Sequence, residues 1–211
     1  TTMILKPFAT HVLIQDHDLS DAWTDTVRAS VMAHYAQNSM GEDAQRSKSH
    51  STSLFSTANT ERVPELAELR SIMLKGFLEL AQSYPENHGE TYGDTVSLGM
   101  EDIEGLCGDD LGRIPLVERN QRMATHNHTN TEAFAIFYLQ DIDHANQGGQ
   151  LILHDPSWHH MVSMYNTRTL PIDARKNRLV VVPGHIWHEV TPYHGDQRLN
   201  VVLNMRQPYL G

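Results

Sequence analysis

RMATHNHTNTEAFAIFYL, Arg122 to Leu139, holds two short runs of strand-forming residues separated by a polar turn. In the first run His126 and His128 flank Asn127. Strand side chains alternate, so the two imidazoles share one face and Asn127 takes the other. Their Cα atoms would lie about 6.6 Å apart, and both rings could lean onto one metal ion through bonds of about 2.1 Å. An isolated His-x-His is equally well explained by two surface histidines beside a turn. The pattern around it has to decide.

Downstream and upstream of this stretch the same period-two character returns. Thr95–Leu98, Pro115–Val117, Gln150–His154, Arg178–Val182 and Arg198–Met205 are short runs with β-branched or aromatic residues, bounded by Gly, Pro, Asp and Asn. Lys6–Gln15 has the character of an edge strand. Between it and the later strands lie two helical patterns. The first can be capped by Asp18 or Ser20 and repeats Leu19, Trp23, Val27, Val31 and Tyr35. The second has Pro64 in its first turn and Leu66, Leu69, Met73, Phe77 and Leu80 on one face, ending before Pro85. Gln37–Asn59 is polar and Ser-rich, and reads as a long mobile loop able to act as a lid. Helices followed by about seven strands predict a mainly β fold with flanking helices, a β-sandwich or jelly roll. A single domain over 1–211 is expected, with strand, helices and loop in 1–90 and the β core in 91–211.

Composition narrows the function. The 211 residues are enough for one domain to bury a full core without staples. Cys107 is the one cysteine, which excludes an intrachain disulfide and a Cys-rich zinc module. It falls in a Gly/Asp-rich segment with no base pattern nearby, so no nucleophile is assigned to it. Lys+Arg 16 against Asp+Glu 26 gives a net charge of -10, an unfavourable surface for coating nucleic acid, though a local basic groove stays open. No charged segment precedes an apolar run near the N-terminus and no apolar stretch reaches membrane length. The expectation is no signal peptide, no membrane span and a cytoplasmic location. No P-loop, dinucleotide fingerprint or nucleophile elbow occurs. The outlying number is 14 histidines.

One of them, His188, follows the strand Arg178–Val182 and the turn Pro183-Gly184. A third imidazole arriving on a neighbouring strand would complete a facial ligand set with open positions on the ion. Arg198 comes ten residues later, after the turn-rich Pro192–Asp196, and opens a strand. A guanidinium folded back toward the metal would need an anion, and a carboxylate matches its planar fork. The alternative is a surface pairing with Asp196 or Glu189, which spacing alone leaves open. His185, three residues before His188, is a rival ligand. Trp158-His159-His160 lies in a loop, and the Trp158–Arg175 segment is a second candidate for gating the mouth of a site.

Together these residues resemble a family. His126-x-His128, Phe137-Tyr138-Leu139, Gly148-Gly149-Gln150-Leu151, Asp155-Pro156, His188-Glu189-Val190-x-Pro192 and Arg198 look like the Fe(II)/2-oxoglutarate-dependent dioxygenases, above all the prolyl-hydroxylase-like branch. The resemblance implies a double-stranded β-helix, cupin-like, that holds Fe(II). In it His126 and His188 would be the two histidine metal ligands, and His128, from its place on the same strand face, is expected to be the third. Arg198 would bind the distal carboxylate of the cosubstrate 2-oxoglutarate, and Tyr138 would donate its hydroxyl to the same carboxylate. The implied reaction is hydroxylation of a small-molecule or peptide substrate with release of succinate and CO2, without nucleic acid or membrane as partner.

The departure from the family is His128, where most members have Asp or Glu. An imidazole there can still ligate, or water can take its place. A neutral third ligand leaves the metal site near +2 rather than +1, which favours a dianionic cosubstrate. Two other functions fit the same residues. One is a three-histidine cupin-type dioxygenase that does not use 2-oxoglutarate. The other is a non-catalytic metal-binding β-sandwich.

Overall fold

A computed structural model describes residues 10–38, 48–84, 99–108, 112–128, 130–156 and 168–207. In chain order the elements are β1 (Leu13–Asp16), α1 (Asp21–Asn38), β2 (Lys48–Thr52), α2 (Thr57–Arg62), α3 (Pro64–Ser83), α4 (Met100–Leu106), β3 (Gly112–Glu118), β4 (Met123–His126), β5 (Thr131–Tyr138), α5 (His144–Gln147), β6 (Leu151–His154), β7 (Thr169–Ile172), β8 (Arg178–Pro183), β9 (His188–Val190) and β10 (Gln197–Arg206). Two antiparallel sheets result, with orders β1-β8-β5-β10-β3-β2 and β4-β9-β6-β7. Strands β3 to β10 supply four central strands of the larger sheet and all four of the smaller one. This is a jelly roll, and β1 and β2 extend its larger sheet at either edge.

The larger sheet is buried on both faces, and strand alternation sorts its side chains between two cores. Ala133, Ala135 and Phe137 of β5, Leu179 and Val181 of β8, and Leu199, Val201 and Leu203 of β10 face the helices. Phe134, Ile136, Tyr138, Val180, Val182 and Val202 face the smaller sheet. Helix α3 lies on the first face and buries Leu66, Leu69, Met73, Leu74, Phe77 and Leu80. These include all five residues of the expected stripe, each worth about 1.5–3 kcal/mol when fully buried. Gly76 lets this helix sit close to the sheet, because a Cβ there would come within 2.6 Å of Leu179 Cδ2. Helix α1 buries Val27 and Val31, and Trp23 Nε1 donates to Glu68 of α3 at 2.7 Å. Its first turn is capped as expected: Ser20 Oγ accepts from the backbone N–H of Trp23.

Three expectations need correction. Gln37–Asn59 is not one loop. Lys48–Thr52 pairs antiparallel with β3, and Thr57 opens α2, with Leu54 and Phe55 buried between them. The strand was hidden because an edge strand gets its stability from ladder hydrogen bonds, which need no apolar side chain; residues 39–47 lie outside the described ones. The Trp158–Arg175 segment contains β7, whose partner β6 supplies the pairing, while 157–167 are outside the described residues. The Gly/Asp-rich segment around Cys107 is not all loop, since Gly105 and Leu106 are the last two residues of helix α4. Cys107 caps that helix and is buried, and burial pushes its thiol up to about 12. The expected strand Thr95–Leu98 also falls outside the described residues.

Candidate metal centre

The smaller sheet brings the histidines together by register. His126, the last residue of β4, stands directly across from His188, the first of β9. His128 lies just beyond the strand, fastened where its N–H donates to the carbonyl of Gly184 at 2.9 Å. The turn that precedes β9 thus also anchors the end of β4. Ring centroids are 4.3 Å apart for His126 and His188, 5.2 Å for His128 and His188, and 5.5 Å for His126 and His128. One ring nitrogen from each residue lies within 4.8 Å of the other two. His185 is exposed, and among the described residues the converging group contains His188 and not His185.

Hydrogen bonds select the tautomers. Nδ1 of His126 lies 2.8 Å from the Ala124 carbonyl, Nδ1 of His188 lies 3.0 Å from the Ile186 carbonyl, and Nδ1 of His128 lies 2.9 Å from Asn204 Oδ1. Each partner is an acceptor, so each Nδ1 carries a proton, and in the neutral ring Nε2 is the nitrogen with the lone pair. Three oriented nitrogen donors suit a first-row divalent ion. Burial lowers His188 to about 3 and His128 to about 4, so both are uncharged at neutral pH. Phe134 stacks against His128 at 4.3 Å and against His188 at 4.6 Å, forming an apolar wall.

These rings open on a cavity of about 840 Å³ between the sheets. The inward face of β10 crosses its floor with Arg198, Asn200, Val202 and Asn204 at every second position. Arg198 is 2% exposed. Its Nε donates to the carbonyl of Gly149 at 3.0 Å, Nη1 donates to Asn200 Oδ1 at 2.9 Å, and Nη2 lies 3.5 Å from the Tyr138 hydroxyl. All of these partners are neutral. The surface pairing does not form: Asp196 binds Arg119, and Glu189 accepts from Thr125 Oγ1. Among the described residues no carboxylate compensates this buried guanidinium, whose pKa is pushed down by its burial. Tyr138 is buried behind Arg198 and does not line the cavity.

No protein-family model matches the chain, and no curated protein matches it in sequence. Solved structures do match. A prolyl-4-hydroxylase from Pseudomonas putida superposes with a TM-score of 0.58 at 15% identity, over 94% of this chain and 89% of its own. A prolyl hydroxylase from Trichoplax adhaerens, in complex with a hypoxia inducible factor peptide fragment, gives 0.59 at 14% identity, over 92% and 83%. The epimerase SnoN, in complex with Fe3+, alpha ketoglutarate and nogalamycin RO, gives 0.58 at 11% identity, over 94% and 79%. The fold is that of the iron/2-oxoglutarate oxygenases. Within this oxygenase fold, the sequence pattern pointed to the three histidines, Arg198 and Tyr138. Asn200 and Asn204, and the cavity residues Arg113 and Arg122, were missed. The two asparagines carried a usable signal, because they continue the alternation begun by Arg198 along a strand that is otherwise apolar. Among the described residues no helix is long and apolar enough to cross a membrane.

Proposed function

We propose that this chain is an Fe(II)- and 2-oxoglutarate-dependent oxygenase that hydroxylates its substrate. His126, His128 and His188 hold the metal through Nε2, each steered by the acceptor on its Nδ1. Arg198 grips the distal carboxylate of 2-oxoglutarate, and Tyr138 acts through Arg198 by flanking Nη2 from behind. With O2, the bound metal and cosubstrate supply the oxidant for a substrate C–H bond and release succinate and CO2. The chain's own part is to orient these groups, keep the His128 and His188 imidazoles neutral, and exclude water with the Phe134 wall. The observation that carries the reading is the Arg198 guanidinium, buried with no anion among the described residues in the cavity onto which the three imidazoles open.

The test is anaerobic calorimetry with Fe(II) followed by 2-oxoglutarate. One metal should bind per chain, His126→Ala and His188→Ala should each abolish that binding, and succinate should form on admitting O2. Metal binding untouched by either variant would remove the proposal. The three-histidine set also matches a cupin-type dioxygenase that needs no 2-oxoglutarate. Oxygen consumption with a substrate but no dependence on 2-oxoglutarate would favour that reading. Tight metal retention without oxygen consumption under any cosubstrate would leave a binding protein.

A further inference from the structure

The cavity runs against the charge of the whole molecule. Its wall includes Arg113, Arg122 and Arg198 and not one Asp or Glu among the described residues, in a chain of net charge -10. Arg113 lies on the inward face of β3, opposite Val202 of β10, so it stands beside the part of the floor that runs from Asn200 to Asn204. Arg122 is exposed and immediately precedes β4, the strand that carries His126. Neither has a hydrogen-bond or ion-pair partner among the described residues. On the proposed function, a divalent metal and dianionic 2-oxoglutarate neutralise one another. A ligand carboxylate would have brought one negative charge to the site, but His128 brings none. The loaded cavity therefore keeps the charge of its arginines, in a volume within the roughly 300–1,000 Å³ range of small-molecule pockets.

We infer that Arg113 and Arg122 form a second anion site in this cavity, which takes a carboxylate or phosphate group of the substrate. The inference rests on the proposed function for the role of Arg198, but not for the existence of the site. Two arginines with no partner among the described residues, close to neutral walls of low dielectric, attract an anion more strongly than the same charges in water. The substrate class is accordingly a small acidic molecule. Long polyanions are disfavoured, because the chain's net charge repels them.

The test uses the protein loaded with Mn(II) and saturating 2-oxoglutarate, titrated calorimetrically with inorganic phosphate and with malonate at constant ionic strength. At least one should bind saturably at one site per chain, and the tighter one identifies the substrate's acidic group. Arg113→Met and Arg122→Met should each weaken that binding tenfold or more and leave 2-oxoglutarate binding unchanged. Arg122 is exposed, so its variant keeps the test valid if Arg113→Met fails to fold. No saturable binding, binding unaffected in both variants, or displacement of the probe by 2-oxoglutarate would overturn the inference. If the wild type fails to bind 2-oxoglutarate at all, the proposed function falls. The phosphate titration without cosubstrate then still reads the arginine pair through its loss in Arg113→Met and Arg122→Met, which leave Arg198 in place.

Discussion

Arg198 holds its charge away from water among a carbonyl, an amide and a phenol. A buried ion without a counter-ion costs several kcal/mol, and well-packed apolar replacements of such ions are often neutral or stabilising. Arg198→Met should therefore raise the melting temperature of the cosubstrate-free protein or leave it unchanged, while removing the rise that 2-oxoglutarate gives the wild type. Loss of both would mark Arg198 as a purely structural residue. Asn204 allows a second comparison. Its Oδ1 fixes the His128 ring, and loss of such a partner typically weakens metal affinity about 10–100-fold. Asn204→Leu should show that loss in a Mn(II) titration, whereas an unchanged affinity would mean that His128 does not ligate. The histidines and Arg198 could be named from the sequence because their spacing survives as register: His126 faces His188 across one strand pair. Arg113 could not, because its inward position depends on the pairing of β3 with β10, and nothing local to Gly112–Glu118 reveals it.

Elements were legible where they make their own signal. Helix α3 shows its buried stripe in its period, β5 and β8 are largely apolar runs, and β10 alternates Leu199, Val201, Leu203 and Met205 with its cavity-facing residues. Three strands could not be read alone: β2 is wholly polar, β7 is mostly exposed, and β9 has only three residues. Each is a strand because a neighbour offers it a ladder. The turns that position the site are more specific. Gly148 and Gly149 have φ of 66° and 70°, and a Cβ on Gly149 would come within 2.7 Å of the Tyr193 ring. That tight turn delivers the Gly149 carbonyl to Arg198. Asn177, at φ 63°, makes a comparable joint outside the site. Its Oδ1 accepts from Thr24 Oγ1 at 2.8 Å and its Nδ2 donates to the Leu19 carbonyl at 3.1 Å, which ties the start of α1 to the turn before β8. Asn177→Ala loses both bonds and must hold a left-handed conformation, so urea unfolding should show a loss of about 2–4 kcal/mol. A change below 0.5 kcal/mol would contradict this account of the joint.

For the whole molecule, the neutral histidines make stability depend on pH. In the unfolded chain each imidazole takes up its proton near pH 6.5. Folded His128 and His188 resist protonation until about 4 and about 3. Between those limits the unfolded state binds more protons, so stability of the metal-free protein falls with falling pH. Each ring contributes about 1.4 kcal/mol per pH unit over its own window. Denaturant titrations at pH 7, 5.5 and 4.5 should show this decline, and His128→Asn should make it shallower by one proton. A decline of equal slope in the variant would place its origin elsewhere. The two edges of the larger sheet bear on how the chain reaches this state. Leu13 pairs with Val181, and Lys48 to Thr52 pair with Gly112 to Leu116. The first of these pairings spans most of the polymer, and contacts between such distant segments slow folding because their loop entropy is lost before they stabilise anything. Until the segment around Val181 has been made, β1 has no partner, and the apolar underside of α3 waits uncovered for a protease or a chaperone to find it first.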